Sequence, residues 1–183
     1  YKRQWVTFAG HRPDGVPQVE VRAVRHGDDW VKEWLRTHEW RPRFQAVTGQ
    51  SRGAPVSDLI KDLDEDPEFD IPVEQWSGGD LIGAHGQAFE DVRDGKVRHN
   101  KQPPLDTAAA TAVRKDLGDG WVLDRKKSPA DVAPLIAWIG ALWLLKKRVQ
   151  ETPPPPPAAA LDTPGGEAVT DDWTTEDLNS IGF

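Results

Sequence analysis

The stretch from Asp94 to Val149, DGKVRHNKQPPLDTAAATAVRKDLGDGWVLDRKKSPADVAPLIAWIGALWLLKKRV, decides how the rest of the chain is read. It passes from a basic turn through a small-residue helix and a short strand to a basic loop. It closes on a long apolar helix with a carboxylate in its first turn. Leu135, Ile136, Trp138, Ile139, Leu142, Trp143 and Leu145 make that helix hydrophobic nearly all round, the pattern of a core helix. The apolar run from Val132 to Leu145 is too short for a membrane span and is broken by Pro134 and Gly140.

Upstream of this stretch the patterning alternates between strand and helix. Trp5 to Ala9 and Val16 to Val24 are β-rich runs separated by Gly10-His11-Arg12-Pro13-Asp14-Gly15, a strong turn signal, so a hairpin is expected. Asp28-Asp29 opens a helix reaching about His38, with Trp30, Val31, Trp34 and Leu35 on one face. Phe44 to Val47 reads as a short buried strand, Pro55 to Leu63 as a helix, Phe69 to Val73 as another strand and Leu81 to Asp94 as another helix. Such an order predicts a mixed α/β domain in which helices cover a sheet.

Composition sets the limits. The chain has 183 residues, 37% of them hydrophobic, with nine Trp, enough for one domain with a real core. The expected division is a folded body over 1–150 and a tail over 151–183 that, after Glu151 and Thr152, runs through five consecutive Pro and continues in Ala, Gly and acid, a composition that stays disordered. The net charge of −7 comes from that tail: seven acidic residues and no Lys or Arg lie from Glu151 onward, leaving 23 acidic against 23 basic residues in 1–150. A neutral body leaves room for basic clusters that meet phosphate. The absence of Cys excludes disulfides and thiolate metal sites, so a metal here would be a hard ion such as Mg²⁺ or Mn²⁺ held by carboxylates. The chain has no Met and opens Tyr1-Lys2-Arg3-Gln4-Trp5, and it is read as a piece of a longer protein.

Three short signals occur in one order within the deciding stretch: D-G-(K/R)-(V/L)-R-H followed by Q-P-x-L-D, then G-D-x-W followed by basic residues, then S-x-x-D-(V/I)-x-P-L-(I/V)-A. In that order they resemble the end of the nuclease domain of a bacteriophage terminase large subunit. The resemblance implies a ribonuclease H-like mixed sheet flanked by helices, with a disordered C-terminal tail. It implies a divalent-metal-dependent endonuclease that cuts double-stranded concatemeric DNA in the host cytoplasm. The implied partners are double-stranded DNA, the phage portal and the terminase small subunit. No Gly-rich phosphate loop with Lys-Ser or Lys-Thr occurs in the chain, so an ATPase domain is expected upstream in the full-length protein.

Nucleases of this group hold two divalent ions between carboxylates, which activate water and stabilise the leaving oxygen. The resemblance places the late carboxylate at Asp131. The same residue also reads as structural, with Ser128 as N-cap, Pro129 at N1 and Asp131 at N3 of the last helix. The first carboxylate is expected before Tyr1. At the second position, where relatives end a strand in Asp, this chain reads Gln45-Ala46-Val47-Thr48-Gly49-Gln50, without an acid. Glu20 is the best substitute, although it also fits a solvated strand residue paired with Arg22; Asp58, at a helix start, comes next. Asp119, in Leu117-Gly118-Asp119-Gly120-Trp121, fits either a metal ligand or a hairpin turn.

Arg125, Lys126 and Lys127, with Arg98, His99 and Lys101, form a candidate path for DNA phosphates, or two ordinary solvated loops. Asp106 reads as the cap of the Ala-rich helix, and Trp173 to Phe183 as a candidate docking peptide. The missing second carboxylate favours an alternative: a catalytically silent ribonuclease H-like domain that binds DNA or a packaging partner.

Overall fold

The computed structural model describes residues 3–151; the expected tail beyond Glu151, with Trp173 to Phe183, lies outside the described residues, and Glu151 itself ends the last helix. The first two strands, β1 (Arg3–His11) and β2 (Pro17–His26), form the expected hairpin, with an irregularity between Val6 and Thr7. Helix α1 (Asp29–Thr37) follows and buries Val31 and Leu35. A single 3-10 turn at Arg41–Arg43 leads to β3 (Val47–Gln50), then α2 (Ser57–Glu65) and β4 (Val73–Trp76), which pairs parallel to β3. Helix α3 (Gly79–Arg93) and helix α4 (Pro103–Thr111) precede the hairpin of β5 (Arg114–Leu117) and β6 (Gly120–Leu123). The chain then enters α5 (Ala133–Glu151).

The mixed α/β class is as expected, with one difference. Among the described residues the strands form three two-stranded pairs, β1 with β2, β3 with β4 and β5 with β6, instead of one sheet. Side-chain alternation nevertheless shows two helical layers. From β1, Val6 and Phe8 pack with Val31, Leu35 and Leu63, whereas Ala9 joins a second core with Val19, Trp76, Ile136 and Leu142. In β4, Val73 packs with the first group and Trp76 with the second. Successive strand residues point to opposite faces, so α1 and α2 cover one face of these strands and α3, α4 and α5 the other.

Two close approaches explain glycines within the elements. A Cβ on Gly49 would lie 2.3 Å from Ile60 Cγ1, so β3 meets α2 only because residue 49 has no side chain. A Cβ on Gly140 would lie 3.0 Å from the Trp76 ring, and the bare backbone of α5 is where that indole rests.

Several expected boundaries move. Strands β3 and β4 begin at Val47 and Val73, where the sequence placed strands at Phe44 to Val47 and Phe69 to Val73. Phe69 and Ile71 are buried as expected, but from the connection ahead of β4. Helix α4 has Gln102 in the capping position, not Asp106, and Gln102 instead bonds the backbone N–H and C=O of Val21 at 2.9 and 2.8 Å. Helix α5 starts at Ala133, so Ser128 and Pro129 do not begin it.

Inside the second core, His85 is buried with its Nδ1 2.6 Å from the Leu81 carbonyl and its Nε2 without a hydrogen-bond partner. Burial holds its pKa below the ordinary 6.5; the Leu81 carbonyl opposes this, and the charge of Arg125 adds to it. The unfolded chain therefore takes up the proton first as pH falls. Stability from neutral His85 is fully present above about 6.5 and is lost as pH falls below it toward the folded-state value. Urea unfolding at pH 7.5 and 5.5 should show a larger loss for the wild type than for His85→Phe. Equal losses would mean that His85 does not carry the slope.

Candidate functional site

The first strand, the third strand and the last helix converge at one corner. Trp5 Nε1 donates to Asp131 Oδ2 at 3.1 Å, and the Ala133 backbone N–H donates to Asp131 Oδ1 at 2.9 Å. Asp131 thus closes the start of α5 through Oδ1, two residues ahead of Ala133, while Oδ2 ties that start to β1. The capping geometry read from Ser128 and Pro129 is replaced by this one. Ser128 is used elsewhere: its Oγ donates to the Asp124 carbonyl at 2.6 Å and accepts the Val113 N–H at 3.0 Å.

Arg125 lines the same cleft as Asp131. Its Nη2 donates to Gln50 Oε1 at 2.9 Å, across to the end of β3. Burial lowers the Arg125 pKa, and the negative charge of Asp131 opposes that shift. A guanidinium at this depth still keeps its charge. The corner therefore holds one carboxylate, one cation and the neutral Gln50 amide at the position where an acid was sought.

Asp124, which sequence reasoning passed over, builds the basic loop. Its buried carboxylate accepts the backbone N–H groups of Lys126 and Lys127 at 2.8 and 3.1 Å, and those bonds hold its pKa below the usual range despite desolvation. An Asp followed by three residues and a Ser is a local side-chain-to-backbone turn signal that was available in the sequence. Arg125 faces inward to Gln50, while Lys126 and Lys127 are exposed.

Of the remaining candidates Glu20 lines the same cleft as Asp131, and the others lie outside it. Glu20, on β2 opposite Phe8, accepts from Asn100 Nδ2 at 2.6 Å and from Gln18, and pairs with Arg22 at 3.5 Å. Asp119 occupies the β5–β6 turn, where the neighbouring Gly120 backbone sits against Ile82 of α3. Glu20, Asp119 and Asp131 are not gathered, and no group of three or more His, Asp or Glu able to hold a metal occurs among the described residues. Asp58 lies in the first turn of α2. Arg98 runs along the outer edge of β2, where its N–H donates to the Pro17 carbonyl at 2.8 Å and the Val19 N–H donates to its own carbonyl at 2.9 Å. His99 packs edge-on to Trp138, and Lys101 is exposed. Among the described residues no helix is long and apolar enough to cross a membrane.

The chain is similar to a phage terminase. The match is to the crystal structure of the HK97 bacteriophage large terminase, with 19% identity and a TM-score of 0.47, covering 79% of this chain. The chain spans 40% of that terminase's length. No protein family and no curated protein matches it.

Proposed function

We propose that this domain is the nuclease-type domain of a phage DNA-packaging terminase, and that residues 1–183 by themselves engage double-stranded DNA without cutting it. The order of the three terminase-like signals between Asp94 and Val149 supports the family reading. The observation that carries the second half is the corner itself: Asp131 has both oxygens engaged, Arg125 lines the same cleft, and the stretch through Thr48 and Gln50 offers no acid. A pair of Mg²⁺ or Mn²⁺ ions needs several carboxylate oxygens in reach of one another, and the described residues do not fit that requirement. Metal-dependent endonuclease activity, with Asp131 as its late carboxylate, then requires acids from outside these residues.

DNA contact is assigned to Lys126 and Lys127 on the loop that Asp124 shapes, with Arg98, His99 and Lys101 along β2 as the second group. Both groups would act on phosphate, giving salt-dependent binding with little sequence preference. The portal and the terminase small subunit are the protein partners this reading implies.

The test is plasmid nicking in Mg²⁺ and Mn²⁺ alongside duplex binding across a salt series. The expected result is no nicking, with binding that weakens as salt rises. Lys126→Ala with Lys127→Ala should flatten the salt slope by about two, near one unit for each phosphate contact removed. Nicking that disappears in Asp131→Ala would show instead that these residues already form a working centre, and absent binding would remove the DNA-engaging reading.

A further inference from the structure

Arg114 and Lys115 are neighbours on β5 and both exposed, yet they serve opposite faces of the β5–β6 hairpin. The register pairs Arg114 with Leu123, Lys115 with Val122 and Asp116 with Trp121. Beyond the strands the ladder gains one more bond, from the Asp124 N–H to the Val113 carbonyl at 2.8 Å. Opposed side chains share a face and successive ones alternate, so Lys115 falls on the face of Val122 and Asp124, and Arg114 on that of Trp121 and Leu123. The ring contacts agree. The Arg114 guanidinium lies 4.2 Å from the Trp121 ring centre and 4.4 Å from that of Phe89 on α3, so Arg114 is engaged in packing. Lys115 is the diagonal neighbour of Asp124, a spacing that a long side chain bridges, and its charge, like that of Lys127, acts on the Asp124 carboxylate.

On its other side Asp124 shapes the loop. A single oxygen, Oδ1, accepts both the Lys126 and the Lys127 N–H. Ser128 closes the turn: its N–H and its Oγ donate to the Asp124 carbonyl at 3.1 and 2.6 Å, and the Oγ also accepts the Val113 N–H. The loop is therefore fastened to the hairpin at both ends, with Arg125 bonded inward and Lys126 and Lys127 exposed.

We infer that Lys115 is the third cation of a phosphate site with Lys126 and Lys127, and that Asp124 is the positioning residue of that site. The ligand is the phosphate backbone of duplex DNA, so the inference rests on the DNA-engaging reading; it adds a cation from a second element and gives the buried acid a role. An anion beneath a phosphate site opposes binding by its charge and favours it only through the geometry it holds. Those two effects have opposite signs, and substitution separates them. Asparagine keeps a carbonyl Oδ1 for both N–H groups and removes the charge, whereas alanine removes both.

The experiment measures binding of a short DNA duplex to the 183-residue chain across a salt series, and amide hydrogen exchange in the free protein. Lys115→Gln should flatten the salt slope by about one unit, and Lys61→Gln, the same charge change on α2, should leave it unchanged. Asp124→Asn should bind about twofold tighter at the wild-type slope, since one repulsive charge is gone. Asp124→Ala should bind about tenfold more weakly, because the lysines are no longer held toward phosphate, and its Lys126 and Lys127 amides should exchange about tenfold faster than those of Asp124→Asn. Tighter binding by both Asp124 variants would show that the carboxylate acts by charge alone and overturns its positioning role. An unchanged slope in Lys115→Gln, or an equal change in Lys61→Gln, removes Lys115 from the site. If Asp124→Ala loses its far-UV circular dichroism, Asp124→Asn decides in its place, and weaker binding by that variant overturns the inference. No salt-dependent binding by the wild type would remove the DNA-engaging reading and this inference together, whereas wild-type binding with any of the other contrary results removes this inference alone.

Discussion

Trp76→Ala is expected to lower the unfolding free energy by about 3–5 kcal/mol, the range for truncating a large aromatic in a core. Trp76 ends β4 with 2% of its surface exposed. Its indole stacks on His85, with centroids 6.1 Å apart, and on Trp143 at 6.0 Å. Its rim also rests on the backbone of α5 at Gly140. Truncation therefore removes at once the contact surface of a strand, of α3 and of α5. Domains of this kind are stable by roughly 5–15 kcal/mol, so the variant should be close to unfolding at body temperature. Urea unfolding followed by far-UV circular dichroism measures the loss. A cost under about 1 kcal/mol would show that α3 and α5 close over the cavity, contrary to the rigid packing that places Gly140 under the ring. Trp76→Phe should recover part of the loss, because its smaller ring keeps some of the stacking.

The parts of the fold legible in the sequence are those whose causes are local. The β1–β2 hairpin follows from two β-rich runs around the Arg12-Pro13-Asp14-Gly15 turn, and α1 from the spacing of Trp30, Val31, Trp34 and Leu35. Strands β3 and β4 were displaced by three to four residues because Phe44, Phe69 and Ile71 pack into the core from the segments just before them, and an apolar residue does not declare whether its backbone is paired. Asp131 was legible as the acid at the start of the last helix. Its bonding was not, since Trp5 is 126 residues away in sequence and no periodicity links the two. The same holds for Arg125 and Gln50, 75 residues apart. The start of α5 was misplaced for a local reason: Asp124 and Ser128 close a turn over residues 124–128, which spends the serine that would otherwise cap the helix.

Lys146→Met is expected to cost roughly 3 kcal/mol, at the lower end of the range for orphaning a buried charge. Asp91, on α3, is 1% exposed, and its carboxylate is held by Lys146 of α5 and by Gln87 Nε2 at 3.1 Å. Removing the ammonium leaves an anion inside the core with one neutral donor, and the desolvation already suffered on folding is no longer offset. The Lys146 side chain is 32% exposed, so water reaching the site moderates the loss. Replacing both partners removes the problem: Asp91→Leu with Lys146→Met should lie within about 1 kcal/mol of the wild type or above it, because an apolar pair needs no charge compensation. Asp91→Leu alone should cost less than Lys146→Met alone, since a partly exposed lysine can turn to solvent whereas a buried carboxylate cannot. A double-mutant cycle in urea tests this ordering. Additive losses would mean that the two side chains act independently and that α3 and α5 are joined by apolar packing alone.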